Sequence, residues 1–374
     1  MKICFDGIGI SHLKESDLYN YTYGLIANLI NIYPQAKYEV VMNKGREVDL
    51  WAKNENIKLE YMDLNRNKND YSILLDHIKS NNINIYHSVN NGFSIPKEKG
   101  CKYIMSVHDL LSVSKNEYVD PKYSNKFMTV FPNALEKSDE IIAVSDFIKN
   151  EIIQRYKVSK DKIKVIYPVC SKQFKPIDIE KSKYKIKHKY KIEGDYLLFA
   201  GDIHIRKNLP LIFRAFKEVL KAYQDLKLVI IGNCEGKREV YYLKLKEYAR
   251  TLNIDNNILF VGSVPYEDRP YFYNGAKCII DLSEYEGFPL SVVEAMACNI
   301  PIICSQSSSF KEVLGSAAAF VESKELNEIK DIISEVLYNK AFRLNLIEKG
   351  KKQILKYQSD EPIKQMVRLY ESMV

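Results

Sequence analysis

The chain predicts an α/β protein built from two doubly wound parallel sheets in series. Three observations lead there. Short β-rich runs alternate with amphipathic stretches along nearly the whole length. The alternation pauses once, in a segment with two prolines, and then restarts. After the pause, three of the strand runs end directly on glycine. At 374 residues the length also exceeds that of a usual single domain.

In the first half the strand runs are "KICFD" (2–6), "YEVVM" (38–42), "IKLEYM" (57–62), "INIYHS" (83–88), "KYIMSV" (102–107), "EIIAV" (140–144) and "IKVIY" (163–167). Helical patterns separate most of them. Between 18 and 33, Leu18, Tyr21, Leu25, Leu29 and Ile32 recur at helical spacing. "YPVCSKQFKPID" carries the two prolines and no periodicity, and reads as the interdomain linker. The lysine-rich "IEKSKYKIKHKYKI" after it reads as the solvated face of the next domain's first helix, in preference to a nucleic-acid tract. The second set of strands is "YLLFAG" (196–201), "LKLVIIG" (226–232), "NILFVG" (257–262), "CIIDL" (278–282), "PIICS" (301–305) and "AAAFVE" (317–322). Open α/β sheets bind ligands at the carboxyl ends of their strands, where a small residue admits a ligand to the backbone. Two such domains would present their strand ends to one another across a cleft. The expected division is residues 1–170, residues 171–357, and a last helix over 358–374.

Composition narrows the function. The hydrophobic share of 46% and aromatic share of 11% are those of a folded chain with cores. A formal net charge of +7 suits phosphate-bearing ligands or an anionic membrane surface, and no nucleic-acid motif is present. The seven cysteines form no C-x-x-C pair, and several lie in apolar runs. Buried, reduced thiols in a cytoplasmic protein are the expectation. The opening "MKICFDGIGI" reads as a strand and a glycine, not a signal peptide. No apolar run approaches the roughly 18 residues that span a bilayer, so at most a peripheral membrane contact is expected.

Four stretches could carry chemistry. "GDIHIRKNLPLIFRAF" joins strand-end Gly201 to Arg206, Lys207 and a helix from about Leu209. Two cations at a helix N-terminus form a receptor for a diphosphate, because the exposed N–H groups and the helix dipole add to their charge. The plain alternative is a surface basic pair with Asn208 as the cap. "SEYEGFPLSVVEAMACNIPIICS" places Glu286 in a strand-to-helix loop and Glu294 in the first turn of the helix. Glu294 could accept hydrogen bonds from two vicinal hydroxyls, or close a capping box with Ser291. In the first half, "DGIGISH" holds Gly7 and Gly9 but fails the dinucleotide fingerprint, since His12 stands at its third glycine. "SVHDLLSV" sets His108 and Asp109 directly after a strand; His108 could meet a ligand or be tied to a loop carbonyl.

In this order these pieces resemble the retaining glycosyltransferases of family four, which have the GT-B fold. The E-x7-E stretch "EGFPLSVVEAMACNIPIICS" carries the resemblance, with "FVGSVPYEDRPYFYNGAKCIIDLSEYEGF" and "LLFAGDIHIRKNLPLIFRAF" upstream. "HSVNNGFSIP", "SVHDLL" and "DEIIAVSDFIKNEIIQRY" extend it into the amino half. The resemblance implies a UDP- or GDP-sugar donor bound mainly by the carboxyl domain, and no metal or other cofactor. Glu294 would hold the ribose, and Lys207 with Arg206 the diphosphate. Glu286 and the backbone N–H groups of Phe288, Pro289 and Leu290 would face the sugar, although Pro289 has no N–H. His108 would approach the sugar from the amino domain, with Gly7 and Gly9 near the phosphates or acceptor. Gly201 would lie in the donor site, and Gly262 and Ser263 near the base. The acceptor would be a glycan, a lipid-linked sugar or a protein, and the last helix would cross back onto the amino domain. The chain departs from the family pattern at Asp202, where many members have Arg, and at Pro289 and Ser291. Asp202 and Pro289 keep a second hypothesis open, a catalytically degenerate homologue acting as a partner subunit.

Overall fold

A computed structural model describes residues 1–7, 10, 16–44, 54–64, 71–322 and 324–374. They divide into two compact units, Met1–Val169 with Ser359–Val374, and Cys170–Gln358.

The first unit holds a parallel sheet of β1 (Lys2–Asp6), β2 (Lys37–Asn43), β3 (Ile57–Met62), β4 (Ile85–Ser88), β5 (Lys102–Val107), β6 (Glu140–Ala143) and β7 (Ile163–Val165). Their spatial order is β3-β2-β1-β4-β5-β6-β7. Ile3, Cys4 and Phe5 of β1 and Tyr103, Ile104 and Met105 of β5 are all fully buried, as expected of residues covered on both faces of the sheet. The helix Asp17–Ile32 starts where Ser16 Oγ accepts from Tyr19 N, 3.2 Å away, and buries Leu25, Ile26 and Leu29. The last helix, Glu361–Glu371, belongs to this unit and packs on Asp17–Ile32 through its apolar face.

The second unit repeats the plan with β8 (Tyr196–Ala200), β9 (Lys227–Ile231), β10 (Ile258–Gly262), β11 (Cys278–Asp281), β12 (Ile302–Ser305) and β13 (Ala319–Val321), in the order β10-β9-β8-β11-β12-β13. The lysine-rich tract is the helix Ile179–Tyr190. It turns Ser182 and Ile186 inward, and two of its lysines, Lys185 and Lys189, pair with the buried Asp268. From Cys170 on, the proline-bearing segment is tied to this unit, with Cys170 N donating to Tyr357 O at 2.8 Å and Ile177 N to Asn274 Oδ1 at 2.8 Å. All seven cysteines are free thiols, five of them buried. No helix among the described residues is long and apolar enough to cross a membrane.

In both sheets the strand order reverses beside the first strand, between β1 and β4 and between β8 and β11. Loops leaving such a pair in opposite directions open a crevice at their carboxyl ends. The segment after β8 contains Arg206 and Lys207, and the segment after β11 contains Glu286. The fold therefore brings together residues about eighty positions apart in sequence, at the place where a ligand would sit.

Candidate active site

Gly201, at the end of β8, has a φ of +153°, and a Cβ there would lie 3.1 Å from Lys207 Nζ. At the end of β9, Gly232 has a φ of +149°, and its Cβ would fall 1.9 Å from the Gly201 carbonyl oxygen. Only glycines let the two strand ends approach this closely. The chain after β8 then makes a short turn, Ile205–Lys207, and Asn208 enters the helix Leu209–Leu220 in the left-handed conformation. Asn208 makes no side-chain cap, so the plain capping alternative is not what the structure shows.

This geometry aims Lys207 inward, where it is 3% exposed. Its Nζ lies 2.5 Å from Glu286 Oε1 and 3.3 Å from Asp281 Oδ2. Arg206 donates to the same Glu286 oxygen and, at 2.8 Å, to the Tyr285 carbonyl. Glu286 is itself buried, and its backbone is clamped: Glu286 N donates to Ser308 Oγ at 2.8 Å and Ser309 Oγ to Glu286 O at 2.8 Å. Burial opposes ionisation of Glu286, but the charges of Arg206 and Lys207 outweigh it and hold the carboxyl below its ordinary value. The result is a buried cluster of two cations and two carboxylates. Asp281 was not singled out by sequence. A lone acid closing the apolar "CIIDL" strand was the available signal.

Glu294 is 1% exposed and lies on the helix Leu290–Ala297, every residue of which is buried except Ser291. Its Oε2 accepts from the Tyr273 hydroxyl at 2.8 Å. Burial and the Glu294 charge push that hydroxyl up, so Tyr273 remains a proton donor. The capping box does not form. The helix is capped at Pro289 without a side-chain bond, Ser291 lies inside it, and Glu294 is therefore past the first turn. The Pro289 carbonyl accepts from both Val292 and Val293 at 3.1 Å, which starts the helix ahead of Ser291.

The backbone donors expected for the sugar are also revised. Pro289 has none, and Leu290 N–H is engaged by the Phe288 carbonyl at 2.9 Å. The Phe288 ring meets Tyr357 edge-on at 5.5 Å. Gly262 ends β10 with a φ of +81°, its carbonyl accepting from Gly232 N at 2.9 Å, and Ser263 beside it is exposed.

In the first unit, Gly7 follows β1 packed so tightly that a Cβ would lie 2.5 Å from Val40 Cγ1. Gly9 lies outside the described residues. His108 is tied to a loop carbonyl, the structural alternative: its Nε2 is 2.7 Å from Val89 O, and its ring meets Tyr21 edge-on at 4.6 Å. Because Nε2 must carry the proton in that bond, Nδ1 of the neutral ring is an acceptor. Burial lowers the His108 pKa, despite that bond and nearby Asp109.

Among the described residues, Glu39, Glu60 and His77 are near enough to share a metal ion. Glu39 is already engaged by Lys2 at 2.6 Å and by His77 Nε2 at 2.8 Å. Asn81 Nδ2 donates to both the His77 carbonyl and its Nδ1, so Nε2 carries the ring proton and donates it to Glu39 Oε2. The cluster is a satisfied ion pair of the first unit.

Comparison with known proteins agrees with this architecture. The family profile described as "Glycosyl transferases group 1" matches residues 180–353, and "Glycosyltransferase Family 4" matches residues 54–171. The chain is 26% identical over 290 residues to O-antigen chain mannosyltransferase B of Escherichia coli, covering 77% of this chain and 74% of the relative. It is 30% identical over 196 residues to a Campylobacter jejuni N-acetylgalactosamine-N,N'-diacetylbacillosaminyl-diphospho-undecaprenol 4-alpha-N-acetylgalactosaminyltransferase, covering 51% of this chain and 47% of that protein. The crystal structure of Anabaena HepE in complex with UDP-glucose superposes on 100% of both chains with a TM-score of 0.79, at 14% identity. By its two profile matches, its relatives and its paired parallel sheets, the chain belongs to the family-four glycosyltransferases of GT-B fold.

Proposed function

We propose that the chain is a retaining glycosyltransferase that moves a hexose from a UDP- or GDP-sugar to a glycan or lipid-linked acceptor without a divalent metal. The observation that carries the reading is the convergence of Arg206, Lys207 and Glu286 at the reversal point of the second sheet, with Glu294 on the next helix. Transfer develops an oxocarbenium-like sugar while negative charge grows on the departing diphosphate. Arg206, Lys207 and the N-terminus of the helix Leu209–Leu220 are the groups that would stabilise that charge. Glu286 then faces the sugar, and Glu294 holds the ribose hydroxyls, with Tyr273 fixing its rotamer. His108 Nδ1 is proposed as the acceptor for a sugar hydroxyl. The proton of the attacking hydroxyl passes to a donor phosphate oxygen, so no side-chain base is assigned.

The mannosyltransferase relative and the relative acting on a diphospho-undecaprenol substrate support an acceptor in surface-glycan assembly. Such an acceptor would be met at the cytoplasmic membrane face. The reading is tested by thermal stability and turnover against a panel of nucleotide-sugars, with and without EDTA. One donor should stabilise the protein, be hydrolysed slowly without acceptor, and lose both effects in Glu294→Ala, and EDTA should change nothing. A product of inverted anomeric configuration would overturn the retaining mechanism. Stable binding with no hydrolysis of any donor would instead favour a degenerate partner subunit, for which Asp202 and Pro289 are the motive.

A further inference from the structure

Asp202 is the first residue after the glycine that ends β8, four positions before Arg206. An anion at that point opposes a diphosphate. The structure answers it with Arg238, which reaches across from the segment after β9 and donates through its Nη2 to Asp202 Oδ2. The glycine contact between the two strand ends holds these segments together, and Ile203 N donates to Asn233 O at 3.2 Å beside it. His204, between Asp202 and Arg206, receives Arg206 N at its Nδ1 at 3.3 Å. Burial and the charges of Arg206 and Arg238 lower its pKa to about 4, so it is neutral and lies within the field of both guanidinium groups.

Three cations (Arg206, Lys207, Arg238) thus stand against three carboxylates (Asp202, Asp281, Glu286), and an incoming diphosphate must displace a carboxylate to find a cation. The exchanges are not equally hard. Releasing Lys207 would uncover Glu286 and Asp281, both buried. The Arg238 and Asp202 side chains are 32% and 34% exposed, so Asp202 can turn to water when a phosphate takes its place. Arg238 also has capacity to spare. Its Nε is buried and finds no acceptor among the described residues. It stands, moreover, at the N-terminus of the helix Glu239–Thr251, although Glu239 N–H is already given to Gly236 O and the Glu239 carboxylate shares that first turn.

Resting on the proposed donor site, we propose that Arg238 is a diphosphate-contacting residue of this chain, parked on Asp202 until the donor binds. Asp202 is its placeholder, and the planar guanidinium exchanges one carboxylate for a phosphate with its Nε as the second donor.

Calorimetric titration of UDP and GDP into the full chain and its Arg238→Gln, Arg238→Lys and Asp202→Asn variants tests this. Arg238→Gln should weaken the bound nucleoside diphosphate about tenfold and the matching monophosphate by less. Arg238→Lys should recover part of the loss. Asp202→Asn should tighten binding severalfold, because the competitor is gone. Opposite signs for Asp202→Asn and Arg238→Gln are the signature, since a purely structural pair would lose affinity or stability from either side. Wild-type binding with Arg238→Gln unchanged, or both variants weakened alike, overturns the proposal alone. Failure of the wild type to bind either nucleotide overturns the donor site and this proposal together.

Discussion

The two sheets share a winding and differ in how they treat buried polar groups. In the first unit the buried polar groups that hold the last helix are neutral. His87, fully buried on β4, is hydrogen-bonded at Nδ1 to Tyr370 of the last helix and at Nε2 to Ser106, both at 2.8 Å, and Tyr21 reaches the same serine at 3.0 Å. Burial, with a lesser contribution from His108, pushes the His87 pKa down to about 3. In the second unit the corresponding region is ionised, with Lys207, Arg206, Glu286 and Asp281 charged and in contact. Neutral hydrogen bonds fasten a helix at small net gain. Buried charges stabilise weakly as a set but tolerate no single deletion. The first arrangement is suited to holding the last helix, the second to receiving an anionic ligand.

The hardest test of that contrast is Lys207→Met. It leaves Glu286 and Asp281 with one cation, and about 3–5 kcal/mol of stability should be lost, with transfer abolished. Urea unfolding measures the first and donor turnover the second. A loss smaller than that from removing a neutral partner in the first unit would break the comparison.

Acid titration comes next. The unfolded chain protonates His87 near its ordinary 6.5, whereas the folded protein does so only near 3. The contribution is complete above pH 6.5 and falls as pH falls, by about 1.4 kcal/mol per pH unit, or about 2 kcal/mol at pH 5. His204, lowered to about 4 in the second unit, acts in the same direction. Denaturant melts of wild type and His87→Asn over pH 5–7 separate the two, because the variant should retain only the shallower slope. Equal slopes would show that His87 carries no proton linkage.

Tyr370→Phe should cost about 1–2 kcal/mol by leaving His87 Nδ1 without its hydrogen-bond partner, while nucleotide affinity stays unchanged. A shift in affinity would mean the last helix is coupled to the donor site. A comparable loss, about 2 kcal/mol, is expected for Tyr273→Phe, which removes the donor to the buried carboxylate oxygen Glu294 Oε2. If the hydroxyl positions Glu294, this variant should weaken nucleoside binding where Tyr370→Phe does not.

Much of the architecture was legible because it is local. Apolar runs named all thirteen described strands to within a few residues, and the glycines at 201, 232 and 262 marked strand ends. Glu286 with Glu294, and Arg206 with Lys207, were legible through two short motifs, each with its members close together in sequence. The capping box misled for a local reason: Pro289 starts the helix before Ser291 can cap it. His108 had two readings, and only the position of the Val89 carbonyl decided between them.

By itself, then, the sequence determined the features that periodicity and short spacing dictate: two wound sheets, their ligand-facing ends, and the acids and bases placed there. Tertiary structure alone decided which polar and charged groups pair. Lys207 and Glu286 are 79 positions apart, Asp202 and Arg238 are 36 apart, and His87 and Tyr370 are 283 apart. No local preference encodes such pairs. They exist because the fold brings distant segments together around each sheet, where a buried polar group is tolerable only beside a partner.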